Sequence, residues 1–92
     1  MGIIFMETEV IPMNVGDAVR LRILELCRER NISVNKLSNL SGVTQSTVNN
    51  IVSGRNNSAT VSTVKKLCDG LGIGIRDFFD SELFSHLEQE LE

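Results

Sequence analysis

The 92-residue sequence contains no Trp and no Tyr, and Phe supplies its only aromatic rings, four in number. That scarcity argues against the stacking platforms that hold single-stranded RNA and against most carbohydrate sites. Cysteine is almost as scarce. Cys27 and Cys68 are too few and too far apart for a disulfide scaffold or a zinc module. They are expected to be small buried fillers, and the compartment reads as a reducing cytoplasm. One histidine, His86, has no Cys or His at ligand spacing and is expected on the surface, not on a metal. No Ser, Cys, His and Asp cluster offers a catalytic constellation, so neither an enzyme nor a cofactor is expected. No apolar run approaches the roughly 18 residues of a membrane span, and the N-terminus lacks the basic start of a secretory signal.

The charge that is present is unevenly placed. The formal net charge of −3 divides into −2 over residues 1–13, +4 over residues 14–79 and −5 over residues 80–92. A mildly basic centre therefore lies between two acidic ends. The centre suits contact with phosphate, and the acidic tail works against indiscriminate binding to nucleic acid.

Local signals divide the chain the same way. Residues 3–11 are β-branched and apolar with two Glu and are closed by Pro12; they fit either a short strand or a disordered leader. Asn14 is a helix cap with Asp17 in the first turn. Val15, Val19, Ile23, Leu26 and Cys27 then follow one helical face, and the helix is expected to end near Arg30 and Asn31. Leu21 and Leu24 fall elsewhere on that helix, which predicts a contact with a terminal segment or another subunit. The cluster of Arg20, Arg22, Arg28 and Arg30 reads as solvated charge with helical partners. Ser33 caps a second helix carrying Val34, Leu37 and Leu40, stopped at Ser41-Gly42. Thr44 caps a third with Val48, Ile51 and Val52 inward, ending at Ser53-Gly54. Thr60 caps a fourth, with Val61, Val64, Leu67, Cys68 and Leu71 apolar. A fifth runs from about Ile75 to Phe79. Beyond it, Leu83, Leu87 and Leu91 recur every fourth residue beside Phe84, which predicts an acidic amphipathic helix over 80–92.

Ser33 to Ser53 has the proportions of a helix-turn-helix, two short helices around a tight glycine turn. In that unit the second helix sends its N-terminal end into the major groove of DNA. Its outward face here carries Gln45, Ser46, Asn49, Asn50 and Ser53 and no charge. A merely solvated helix face favours Lys, Glu and Arg, which are better helix formers than Asn and Ser. Gln and Asn pair in bidentate fashion with adenine, and Ser bonds donors or acceptors alike. Base reading is thus the expectation for Gln45, Ser46, Asn49 and Asn50.

The segment from Ile32 to Phe79 resembles the phage-repressor-like (Cro-like, XRE-type) helix-turn-helix domains. The shared features are Ser33, Leu37, Gly42-Val43, the Thr44-to-Ser53 helix, Gly54-Arg55, Leu71-Gly72 and Phe78-Phe79, and the likeness spans about residues 15–79. It implies an all-α, five-helix, lambda-repressor-like DNA-binding bundle over 14–79, with 1–13 and 80–92 as additions. It further implies binding of double-stranded operator DNA as a homodimer, most often to repress transcription. The base-reading positions of the family fall on Gln45, Ser46 and Asn50. The phosphate-contacting set becomes Ser33, Lys36, Thr44, Thr47, Arg55, Asn56 and Asn57.

Some positions depart from the family pattern. A phosphate-bracing Gln is common after the second helix cap, and Val34 stands there, leaving Asn35 or Lys36 to replace it. An ion pair common between the first and third helices is replaced by Cys27 and Val52. Both partners have become apolar together, which strands no charge, and contact between the two is expected. At the C-terminus, Leu83, Phe84, Leu87 and Leu91 are candidates for a homodimer surface, the other possibility being a helix folded back on its own core. The acidic tail also suits a protein partner such as a toxin, in which case the chain is an antitoxin or adaptor of the same fold.

Overall fold

The computed structural model describes residues 13–55 and 58–91. Among the described residues five α-helices follow one another: α1 (Val15–Glu29), α2 (Val34–Ser41), α3 (Gln45–Val52), α4 (Val61–Leu71) and α5 (Ile75–Phe79). A 3-10 turn, Glu82–Phe84, completes the order.

Four helix starts are fixed by side-chain caps. Asn14 Oδ1 accepts from the Asp17 N–H at 2.8 Å, and Ser33 Oγ accepts from the Lys36 N–H at 3.0 Å. Thr44 Oγ1 accepts from the Thr47 N–H at 3.2 Å, and Thr60 Oγ1 from the Thr63 N–H at 3.1 Å. Each bond satisfies a backbone donor that the first helical turn leaves without a partner. At α5 the roles are reversed: the Asp77 carboxylate accepts from the Gly74 N–H at 3.3 Å.

The helices bury one continuous core. α1 contributes Val19, Ile23, Leu26 and Cys27; α2 contributes Leu37; α3 contributes Val48 and Ile51; α4 contributes Val64, Leu67, Cys68 and Leu71. Phe78 of α5 is fully buried at the base. Its ring meets Phe79 edge-on at 4.9 Å between centroids, and Phe84 completes the aromatic group at 4.8 Å from Phe79. Cys27 lies in this core and Val52 packs against the same cluster. Burial raises the pKa of both cysteine thiols above the ordinary value, because a thiolate is costly away from water.

α2 and α4 pack closely, and a glycine permits it. A Cβ placed on Gly70 would lie 2.8 Å from Ser41 Cβ and 2.9 Å from the Ser41 backbone nitrogen. No side chain other than hydrogen fits that approach. Next to this contact, Ser38 is 2% exposed and its hydroxyl has no hydrogen-bond partner among the described residues.

Several expectations are corrected. The tail is not an amphipathic helix over 80–92: after the 3-10 turn the chain runs without α-helix, and Met13 forms an isolated parallel bridge with Leu87. The physical reason lies in the residues. Ser81 and Ser85 are weak helix formers, and the Ser81 hydroxyl instead accepts from the Leu83 N–H at 3.2 Å. A helix here would also place Glu88 and Glu90 at its C-terminal end, against the macrodipole. Leu40 and Val61 fit the apolar periodicity but face outward, 48% and 76% exposed. Arg22 is not a solvated charge. Its Nε donates to the Phe78 carbonyl at 2.6 Å and its Nη2 to the Asp77 carbonyl at 2.8 Å, while Nη1 pairs with Glu25 at 2.7 Å. It thereby holds the end of α5 against α1. α1 also packs against the 3-10 turn, and Leu21 and Leu24 are half-buried. The leader or strand expected within 1–12 lies outside the described residues.

Candidate nucleic-acid interface

The edge of α3 is positioned by its opposite side. Val48 is fully buried and Ile51 nearly so, and Val43 packs against the same core. Anchoring these residues inward turns Gln45, Ser46 and Asn49 to solvent and leaves Asn50 half-buried. The turn before α3 is Gly42, Val43 and Thr44. Gly42 ends α2 at φ +71°, in the left-handed region, which glycine enters without steric cost. Its N–H bonds the Ser38 carbonyl at 3.0 Å. This reverses the chain within one residue and starts α3 at Gln45.

Hydroxyls line the turn. Thr44 accepts from the Thr47 N–H and donates to Thr47 Oγ1 at 2.8 Å. Its proton is thereby committed, while the Thr47 hydroxyl proton remains to be given outward. Ser46 Oγ lies 3.4 Å from Thr44 Oγ1. At the start of α2, Ser33 uses an oxygen lone pair on its cap, which likewise leaves its O–H as a donor. Donors of this kind, together with helix N-termini, suit phosphate oxygens.

Among the described residues from Ser33 to Arg55, two cations lie outside any ion pair, one on α2 and one just after α3. Lys36 and Arg55 are exposed, and among the described residues neither takes part in an ion pair. The pairs that form are Arg20 with Asp17 and Arg22 with Glu25 on α1, and Lys65 with Asp69 on α4. Arg55 has another contact instead: its Nη1 donates to Asn50 Oδ1 at 3.4 Å. That link across the end of α3 carries no signal in the local sequence pattern.

The structure thus brings Gln45, Ser46, Asn49 and Asn50 onto one helix edge, with Thr44 and Thr47 at its leading end and Arg55 at its trailing end. Asn56 and Asn57 lie outside the described residues. Of the C-terminal apolar set, Leu83, Phe84 and Leu87 are half-buried, with Phe84 packed on the core; Leu91 is 83% exposed. An apolar groove of about 280 Å³ lies elsewhere, between Val15, Val19, Ala59, Val61 and Phe79, with no residue of α3 in its lining. No group of three or more His, Cys, Asp or Glu side chains able to hold a metal occurs among the described residues. No helix among them is long and apolar enough to cross a membrane.

Comparison with known proteins agrees with this architecture. The structure is similar to the crystal structure of the prophage Lp1 protein 11, at a TM-score of 0.67 and 39% sequence identity, over 73% of this chain and 88% of that one. Among curated proteins there is no match. Residues 22–82 match the family model of the Cro/C1-type HTH DNA-binding domain. With the match spanning α2, the glycine turn and α3, the chain belongs to the Cro/C1-type helix-turn-helix DNA-binding family.

Proposed function

We propose that this DNA-binding regulator reads a specific double-stranded sequence and represses transcription as a homodimer on a near-palindromic operator. The observation that carries the reading is the open, uncharged amide and hydroxyl edge of α3, with Arg55 at its trailing end. Gln45, Ser46, Asn49 and Asn50 face base edges, where amides donate or accept and hydroxyls adapt to either partner. Ser33, Lys36, Thr44, Thr47, Arg55, Asn56 and Asn57 hold the phosphates and set the register.

Homodimer formation is supported by apolar side chains that the fold leaves outside, Leu91, Val61, Leu40, Phe79 and Val15. A small reader with one recognition helix gains avidity from a second copy, and two-fold symmetry in the protein calls for symmetry in the site. Selection of bound duplexes from random DNA at fixed salt tests the whole reading. Enrichment of a two-fold symmetric site is expected; recovery of an unenriched pool would overturn it.

The second reading, a protein-docking antitoxin or adaptor, is favoured by the exposed acidic tail, where Glu88 and Glu90 flank the chain leading to Leu91. Copurification with a toxin-sized neighbour, lost on removal of residues 85–92, is the outcome that distinguishes it.

A further inference from the structure

Asn50 lies on the reading edge, and Arg55 Nη1 stands 3.4 Å from its side-chain oxygen. The end of α3 makes the approach possible. Ser53 N–H bonds the Asn49 carbonyl at 2.9 Å and Gly54 N–H the Ile51 carbonyl at 3.2 Å, after which Gly54 turns the chain at φ +84°. Arg55 is thereby directed back over the last turn of the helix.

The chemistry of the pair fixes the amide. A guanidinium has donors and no acceptor. The atom of Asn50 that faces it must therefore be Oδ1, and the Nδ2 group must face the other way. The bond is long for its type and exposed to solvent, so its consequence is orientation and not stability.

We propose that Arg55 is a positioning residue for sequence specificity. By holding the oxygen of Asn50, it presents the Nδ2 donor to the base edge. Asn50 then selects a base with an acceptor in the major groove, a purine N7, guanine O6 or thymine O4. It rejects cytosine, whose major-groove edge offers the N4 donor. Arg55 keeps further N–H groups for a phosphate, so one side chain joins backbone contact to base choice. This proposal rests on the DNA-reading function above and specifies how one position is read.

The test uses the full chain as wild type, Arg55→Ala, Asn50→Ala and the double variant. Binding is measured at one salt concentration on the selected duplex and on a duplex with cytosine at the base that Asn50 reads, located as the position whose preference Asn50→Ala flattens. Wild type is expected to disfavour the cytosine duplex by about tenfold or more. Arg55→Ala should weaken both duplexes and also shrink that ratio several-fold, because the released amide can rotate and offer its oxygen to cytosine N4. In the Asn50→Ala background, loss of Arg55 should weaken both duplexes by one common factor. If Arg55→Ala weakens both duplexes equally while Asn50 is present, Arg55 is a phosphate contact only and the proposal is overturned. If wild type itself binds all duplexes alike, the DNA-reading function fails instead, and the two failures are distinct.

Discussion

Gly70 on α4 faces the backbone of Ser41 on α2 so closely that an added Cβ would stand 2.9 Å from the Ser41 nitrogen. Alanine in a helix interior is favoured over glycine by about 1 kcal/mol. Here the obstructing atoms include main chain, which cannot rotate away, and overpacking costs about 1–3 kcal/mol. Gly70→Ala is therefore expected to lower the midpoint of urea unfolding with its slope unchanged. A midpoint at or above wild type would mean that α2 and α4 separate at little cost.

Arg22 makes the second prediction. Its guanidinium serves two carbonyls at the end of α5 and one carboxylate on α1, with its side chain 11% exposed. Arg22→Met keeps much of the apolar stem but removes the donor to the Phe78 carbonyl, while the Asp77 carbonyl keeps the Asp80 N–H. The loss is expected to be about 1–3 kcal/mol, discounted for the partly exposed pair. Arg22→Lys should recover little, since an ammonium lacks the planar fork. Hydrogen exchange is the direct measurement: amides of α5 should lose protection before those of α4.

The four cap positions were legible because the bonded atoms lie three residues apart in the chain, as Ser33 and Lys36 do. The core face of α1 was legible for the same reason, with periodicity stating directly which residues share a side. Arg22 was not, because its main partner is 56 positions away and nothing local encodes the meeting. Leu40 and Val61 show a further limit: periodicity marks a face, while its burial depends on a neighbour reaching that far. In the tail, spacing and composition disagree: the leucine repeat runs through Ser81, Ser85 and the terminal glutamates, whose chemistry opposes a helix. For the site, the uncharged outward edge of α3 is legible in its residue pattern, whereas the bond from Arg55 to Asn50 depends on the turn at Gly54.

Ser38 yields an opposite kind of prediction. Its buried hydroxyl has no partner among the described residues, and a buried polar group left unbonded is destabilising. Ser38→Ala should raise stability by about 1 kcal/mol, read as a higher melting temperature with unchanged DNA binding. A drop in stability would reveal that the hydroxyl is bonded in solution.

Cys27 and Cys68 are buried, and burial lifts both thiols above the ordinary range. Only the thiolate is nucleophilic, so a maleimide reagent at neutral pH should label neither in the folded protein and both in denaturant. The linkage has a definite sign. The unfolded chain gives up these protons first as pH rises, so stability is full below the ordinary thiol pKa and declines above it. Unfolding midpoints at pH 7 and in the alkaline range should show that fall, and Cys68→Ala should diminish it.

On the reading edge, Gln45→Ala should cost about 1–3 kcal/mol on the selected duplex and relax base preference at one position. Lys36→Ala should weaken all duplexes alike and flatten the dependence of affinity on salt. Titrations at several salt concentrations separate the two patterns; a common pattern for both variants would remove Gln45 from the base-reading set.

Met13 and Leu87 are joined by one bridge, closed by the Glu88 N–H on the Met13 carbonyl at 3.0 Å. Tension pulling those two points apart would load this lone clasp before reaching the interdigitated side chains beneath. The molecule should therefore yield in two stages under force, a small early give as the tail peels from the start of α1, then rupture of the bundle.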